Sequence, residues 1–192
     1  DDSLEFLRSF EKHSKNTALG DLVLQKLDHH NKSLNLQGNR FTESDFQILF
    51  SIESLKYLKS IDLSETGMTS KSIRHLCASK WLEHIESLSL SNNNLDDEGI
   101  FLLSKTTHLP RLTSLDLSSN EIGTLGAKVL SLSKSLDGID SLNLSYNRIE
   151  SLGVYSLANS DFGRRLKFLQ LRDTCLNNRE MEDFAKCRLN EL

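Results

Sequence analysis

Proline occurs once in 192 residues, cysteine three times, and aromatic residues make up 7% of the chain. With one proline and a hydrophobic share of 38%, the composition is that of neither a low-complexity nor a membrane-spanning chain. No run of about 18 apolar residues is present, which excludes a transmembrane helix on length. Cys77, Cys175 and Cys187 are too few and too scattered for a disulfide framework, and fit a reducing compartment. Positive charge is also scarce: 23 Lys and Arg face 27 Asp and Glu, for a net charge of −4. Basic residues are spread along the chain, with only Arg164 and Arg165 adjacent, so a general nucleic-acid binder is excluded. The first residues carry no basic-then-apolar signal pattern. These absences predict an intracellular, cytoplasmic protein with neither membrane nor nucleic acid as partner.

What is abundant is self-similarity. Ser87-Leu88-Ser89-Leu90-Ser91-Asn92-Asn93 returns as Ser114-Leu115-Asp116-Leu117-Ser118-Ser119-Asn120, and again as Ser141-Leu142-Asn143-Leu144-Ser145-Tyr146-Asn147. Leu88, Leu115 and Leu142 stand 27 residues apart, and the same stride finds Leu34, Ile61 and Leu169. Six copies without an insertion define a repeat protein, and repeats of this length stack into solenoids.

Two periodicities alternate inside each copy. Around Leu115 and Leu117 apolar residues recur at every second position, the pattern of a short strand with one buried face. Later they recur at helical spacing, as in Phe46, Leu49 and Phe50, or Val154, Leu157 and Ala158. Thr42, Thr69-Ser70, Asp96-Asp97 and Asn177-Asn178 precede such stretches as helix-capping types. Gly99, Gly126 and Gly153 share one register position, where the loop enters the helix and space is short. Strands pack about 4.8 Å apart and helices about 10 Å apart, so a stack with strands on one side and helices on the other must curve. The expected fold is therefore an α/β right-handed solenoid, a horseshoe of about six 27-residue repeats with the parallel sheet on the concave side and helices on the convex side.

The pattern Leu112-x-x-Leu115-x-Leu117-x-x-Asn120-x-Ile122, followed by Gly126 and Leu130, resembles the ribonuclease-inhibitor-like leucine-rich repeats. The resemblance covers residues 31–184. The constant stride departs from the alternating repeat lengths of the inhibitor itself, so the chain is not read as that protein. Thr66 and Thr174 stand where the family places asparagine, which implies a looser loop in those copies. Residues 1–30, with Leu4, Leu7 and Phe10 and then Leu19, Leu22 and Val23, are expected to form a helical N-terminal cap. Residues 185–192 are either the C-terminal end or the start of a truncated next repeat.

Such a scaffold implies a protein-interaction module binding on its concave face, with no catalytic residue, cofactor or metal. Asn39, Asn93, Asn120 and Asn147 form a structural ladder, since an amide both donates and accepts. The outward strand positions are mostly serine until the last two copies, where Tyr146, Phe168 and Arg172 are bulky. Tyrosine and arginine are over-represented in interface hot spots. The candidate partner-binding residues are Tyr146, Phe168 and Arg172, with Asp116, Asn143, Gln170 and Asp173 around them. Alternatively Phe168 packs against a cap or a further repeat. Asp62, Glu65, Glu86, Asp116 and Asp140 make the middle of the face acidic, which suits a protein partner of basic or mixed charge. The chain itself is expected to be a monomer.

Cys77 is a core position, no histidine–cysteine spacing suits zinc, and no glycine-rich phosphate loop is present. The family also contains activators of the Ran GTPase. That alternative would offer Arg40 as a charge-stabilising residue, although Arg148 occupies the same register as plain surface. Intracellular bacteria deliver such repeats into host cells as effectors, which supplies an alternative context.

Overall fold

The computed structural model describes residues 18–28, 30 and 32–174. It opens with helix α1 (Ala18–Lys26) and the two-residue strand β1 (Leu27–Asp28). Five strand–loop–helix units follow: β2 (Ser33–Asn35) with α2 (Glu43–Ser51), β3 (Ser60–Asp62) with α3 (Ile73–Ala78), β4 (Ser87–Ser89) with α4 (Asp97–Leu103), β5 (Ser114–Asp116) with α5 (Thr124–Ser131), and β6 (Ser141–Asn143) with α6 (Glu150–Ala158). Helix α7 (Asp161–Arg165) and strand β7 (Phe168–Gln170) complete it.

The strands form one sheet in the order β1 to β7. From β2 to β7 every pair is parallel, and each step of the register is one repeat: Leu34 lies beside Ile61, then Leu88, Leu115, Leu142 and Leu169. These central residues point inward, and a second inward row runs Leu36, Leu63, Leu90, Leu117, Leu144 and Leu171. The helices answer with their own rows. Phe46, Ile73, Ile100, Ala127 and Val154 form one, and Leu49, Leu76, Leu103, Leu130 and Leu157 another, all buried. Each coil thus buries two faces that it could not bury alone, and the neighbours close one continuous core.

Polar ladders bind the coils where the backbone has no strand or helix partner. The Asn120 amide donates to Leu90 O and Leu117 O at 3.0 Å each, and its Oδ1 accepts from Leu95 N–H at 3.0 Å. Asn93 and Asn147 repeat this pattern, while Asn39 reaches only Leu36 O and Gln37 O in its own coil. Thr66 and Thr174 donate to the carbonyl three residues back, at 2.7 and 2.9 Å, and are fully buried. The looser loops expected there are not seen: a shorter side chain loses the reach to the previous coil, and the threonine's own carbonyl takes the N–H of Phe41 or Glu150 instead. A second ladder, not read from the sequence, ties the helix ends: the hydroxyls of Ser79, Thr106 and Ser133 donate to Phe50 O, Cys77 O and Ser104 O of the preceding coil.

Capping follows the expected residues at Thr42 and Asp96. Thr42 and Asp45 form a reciprocal capping box, and Asp96 accepts from Glu98 and Gly99 N–H. At Thr69-Ser70 the pair divides: the Thr69 hydroxyl accepts from Lys71 N–H at 3.3 Å in the turn that leads into α3, and the Ser70 hydroxyl donates to Asp96 of the next coil. A Cβ at Gly126 would lie 2.6 Å from Asp97 Oδ1, and one at Gly153 2.6 Å from Ile149 Cγ2, so both positions exclude a side chain for lack of room. At the N-terminal end, α1 buries Leu19 and Val23. The expectation of a purely helical segment over 1–30 omits β1, which pairs antiparallel with β2 through Leu27 and Leu34. Two residues carry no periodicity, so the strand left no mark to read. Leu4, Leu7 and Phe10, together with Asn177-Asn178 and everything beyond Thr174, lie outside the described residues.

Candidate functional site

Side chains alternate across a strand, so the residues flanking each buried leucine face away from the helices. In β6 these are Ser141 and Asn143; in β7 they are Phe168 and Gln170, placed beside them in register. The small Ser141 gives the Phe168 ring nothing to lean on, and the ring is 66% exposed.

Beyond the strands every coil makes the same turn. Gly38, Glu65, Asn92, Ser119, Tyr146 and Asp173 all have φ between 52° and 76°. The cause is hydrogen bonding between coils: from Gly38 to Tyr146 this backbone geometry aims the N–H at the next coil, as in Ser119 N–H to Ser145 O at 2.9 Å and Tyr146 N–H to Arg172 O at 2.7 Å. Glycine and asparagine tolerate the left-handed region, whereas a bulky residue there is an outlier. Tyr146 is that outlier, and its side chain is 47% exposed. The guanidinium of Arg172 lies 5.6 Å from the Tyr146 ring centre, and its Nε lies 3.3 Å from Asp173 Oδ2.

Asn143, Tyr146, Gln170 and Arg172 line one shallow cleft of about 480 Å³, together with Ser118, Ser119 and Ser145. Of the seven residues singled out from the sequence, these four are brought together there. Phe168 stands on the same face of β7 as Gln170, Asp173 is held to Arg172, and Asp116 lies one strand away in β5.

The acidic residues at the middle of the face are held by local bonds. Asp62 and Asp116 each fold back, Oδ1 accepting both the N–H and the hydroxyl of the serine two residues on, Ser64 or Ser118. This is a turn-forming role, which short carboxylates and amides fill readily. Asn35 and Asn143 accept from Gln37 N–H and Ser145 N–H in the same way. Glu86 and Asp140 are ion-paired with Lys59 and Lys167 at 2.8 and 2.9 Å. The Lys59 hydrogen bond holds the Glu86 carboxyl below its usual range. Glu86 and Asp140 are thus offset by lysines, whereas Asp62 and Asp116 keep their charge with the carboxylates oriented by serine.

Ser118, Ser119 and Ser145 of the cleft carry no distinguishing mark in a sequence whose outward strand positions are mostly serine, and the strain at Tyr146 is not visible in that residue alone. Its signal lay in the register series itself, since glycine and asparagine at Gly38 and Asn92 mark a left-handed turn. Arg40 is exposed and borders a separate cleft of about 330 Å³ with Gly38, Glu65, Gly67 and Asn92. Among the described residues no helix is long and apolar enough to cross a membrane.

Residues 82–104, 108–131 and 140–158 match the family model described as Leucine Rich repeat. Those three segments thus match leucine-rich repeats, and the α/β stack that contains them fits a solenoid of such repeats. No curated protein matches the chain in sequence. Among solved structures, one titled leiomodin-1 actin-binding site 2 is similar with a TM-score of 0.57 and 17% identity, covering 97% of this chain and 94% of that one. A complex titled TLR13–ssRNA13 is similar with a TM-score of 0.52 and 19% identity, covering 80% of this chain and 20% of that one. At such identities the likeness is one of fold.

Proposed function

We propose that this chain is a protein-interaction module that holds its partner against the sheet face turned away from the helices, on a concave, horseshoe-like surface of the ribonuclease-inhibitor-like kind. Tyr146, Phe168 and Arg172 are its anchors, with Asp116, Asn143, Gln170 and Asp173 around them. One observation carries the reading: an exposed tyrosine is kept in a strained turn that five other coils fill with smaller or more flexible side chains. Strain of this kind costs roughly 1–3 kcal/mol and collects at functional sites. The neighbouring exposed phenylalanine is equally hard to account for by stability.

Six parallel strands span about 24 Å at about 4.8 Å per step, room for a standard contact of about 800 Å² per partner. Leiomodin-1, similar over nearly its whole compared length, is titled by an actin-binding site, so a stack of this size serves as a binding surface in that protein. The formal charge of −4 favours a protein over a nucleic acid as the partner. Because the face is partly self-neutralised, recognition here rests on aromatic and hydrogen-bonding groups more than on net charge.

The test is affinity capture from native cytosol, comparing the wild type with Tyr146→Ala/Phe168→Ala/Arg172→Ala. Loss of the captured protein with an unchanged melting temperature supports the proposal. Equal capture by the two proteins refutes it.

A further inference from the structure

The helical side of the stack carries a second surface, independent of the sheet face. Helix α5 buries Gly126, Ala127, Leu130 and Ser131 against the core. Its opposite side should then be polar, yet it presents Leu125, Val129 and Leu132, spaced i, i+4 and i+7 along one stripe. Leu132 is 73% exposed and Leu125 66%. The neighbouring helices extend the patch, with Phe101 on α4 and Leu152 and Tyr155 on α6 all exposed. The outer faces of α2 and α3 are by contrast mainly polar, with Ile48 the one large exposed apolar side chain described there, so the apolar surface is concentrated on α4–α6. Contiguous exposed apolar patches of this sort mark interaction sites. Between α4 and α5 the patch deepens into a cleft of about 350 Å³ lined by Phe101, Val129 and Leu132, with Lys105 and Lys134 on its rim.

Charge specifies the occupant. Lys105, Lys128 and Lys134 form no ion pair with a carboxylate among the described residues, and Lys105 lies over the Phe101 ring at 5.5 Å. The nearby acids are already engaged. Glu98 is paired with Arg74 and Asp137 with Arg165, while Asp97 accepts the N–H groups of Gly123 and Gly126. An acidic protein thus exposes Lys105 and Lys134 at an apolar cleft, with Lys128 exposed on α5 outside its lining. We infer that the cleft between α4 and α5 docks an acidic amphipathic helix of a partner protein, its apolar side chains seated on Phe101, Val129 and Leu132 and its carboxylates on Lys105, Lys128 and Lys134. This is the helix-in-groove mode of recognition.

Fluorescence anisotropy with a synthetic probe tests the assignment: an amphipathic helical peptide with Leu and Phe on one face and Glu on the other. It should bind at least tenfold more tightly than the same peptide with Lys for Glu. Leu132→Glu, or Lys105→Glu with Lys134→Glu, should weaken binding at least tenfold with helical circular dichroism retained. Tyr146→Ala/Phe168→Ala/Arg172→Ala should leave it unchanged, which keeps this site apart from the sheet face. Binding should also weaken from about 0.1 M to about 1 M salt as the Debye length falls from about 10 to about 3 Å. Equal affinity for the Lys peptide, or no effect of the α5 variants, overturns the inference. So does preferential binding to phosphatidylserine vesicles, which makes the surface lipid-binding, or a dimer abolished by Leu132→Glu, which makes the occupant a second copy.

Discussion

The Tyr146 amide donates to the Arg172 carbonyl at 2.7 Å, while the Arg172 guanidinium stands 5.6 Å from the centre of the Tyr146 ring. Two consecutive coils are thereby joined at one point by backbone and side chain together. The backbone bond needs the left-handed turn, and the turn holds the tyrosine where the arginine can cover it. Neither residue is explained by the repeat alone, because the other coils make the same backbone bond with glycine, glutamate, asparagine or serine.

Tyr146→Asn separates the two roles. Asparagine occupies the equivalent place at Asn92 and tolerates the left-handed region. Relief of strain worth about 1 kcal/mol or more outweighs loss of an exposed cation–π contact worth about 0.5–1 kcal/mol. The variant is expected to keep or slightly raise its urea midpoint while binding its partner more weakly. A lowered midpoint would show that the tyrosine is a structural residue.

The asparagine ladder predicts a graded cost. Asn120→Ala removes bonds to Leu90 O and Leu117 O and orphans Leu95 N–H, all buried. A buried polar group left unpaired costs about 1–3 kcal/mol, so a loss of roughly 3 kcal/mol is expected by chemical denaturation. Asn39→Ala breaks only bonds within its own coil, to Leu36 O and Gln37 O, and should cost about 1 kcal/mol. Equal losses would mean that the contacts between coils contribute nothing.

Residues whose role repeats were legible before the structure; residues whose role is unique to one coil were not. Leu88, Leu115 and Leu142 announce their strands because the same environment recurs at a fixed stride, and Asn93, Asn120 and Asn147 do likewise. Strand β1 is not legible in the sequence because a two-residue pairing leaves no pattern. The charge of Asp116 is visible in the sequence, while the Ser118 bonds that fix its carboxylate are not. Tyr146 and Phe168 stood out only as departures from serine-rich rows, which identifies a place on the face but not the strain or the cleft around it.

Gly163 is a case in which breaking the pattern carries the information. Stepping by 27 from Leu55 reaches Leu82, Leu109 and Leu136, all buried, and then Gly163. Helix α7 brings the chain so close to α6 that a Cβ at Gly163 would lie 1.9 Å from the Leu157 carbonyl oxygen. Because the obstacle is backbone, no rotamer relieves it. Gly163→Ala should destabilise the fold by about 1–3 kcal/mol, the scale of overpacking, despite the higher helix propensity of alanine. A neutral outcome would mean that α7 can move away from α6.

Burial pushes the Cys77 thiol up to about 12, since the thiolate would lose its hydration among core side chains. At pH 8 iodoacetamide should therefore label the folded protein at Cys77 far more slowly than the urea-unfolded chain, as read by mass spectrometry of the tryptic peptide. The same shift fixes the alkaline limb of stability. Above the unfolded value near 9 the unfolded chain releases the proton while the folded one keeps it, so ν_U is below ν_N and stability falls as pH rises toward 12. Asp96 works at the other end. The Ser70 hydroxyl and then the Gly99 and Glu98 amides hold its carboxyl below the usual range. Its contribution is present above the unfolded carboxylate pKa and is lost as pH falls through the folded one. Asp96→Asn should therefore flatten the acid limb and leave the alkaline limb intact, whereas Cys77→Ala should flatten the alkaline limb alone. If each variant altered both limbs, the two groups would not be the independent titrating sites that their separation by chemistry and location requires.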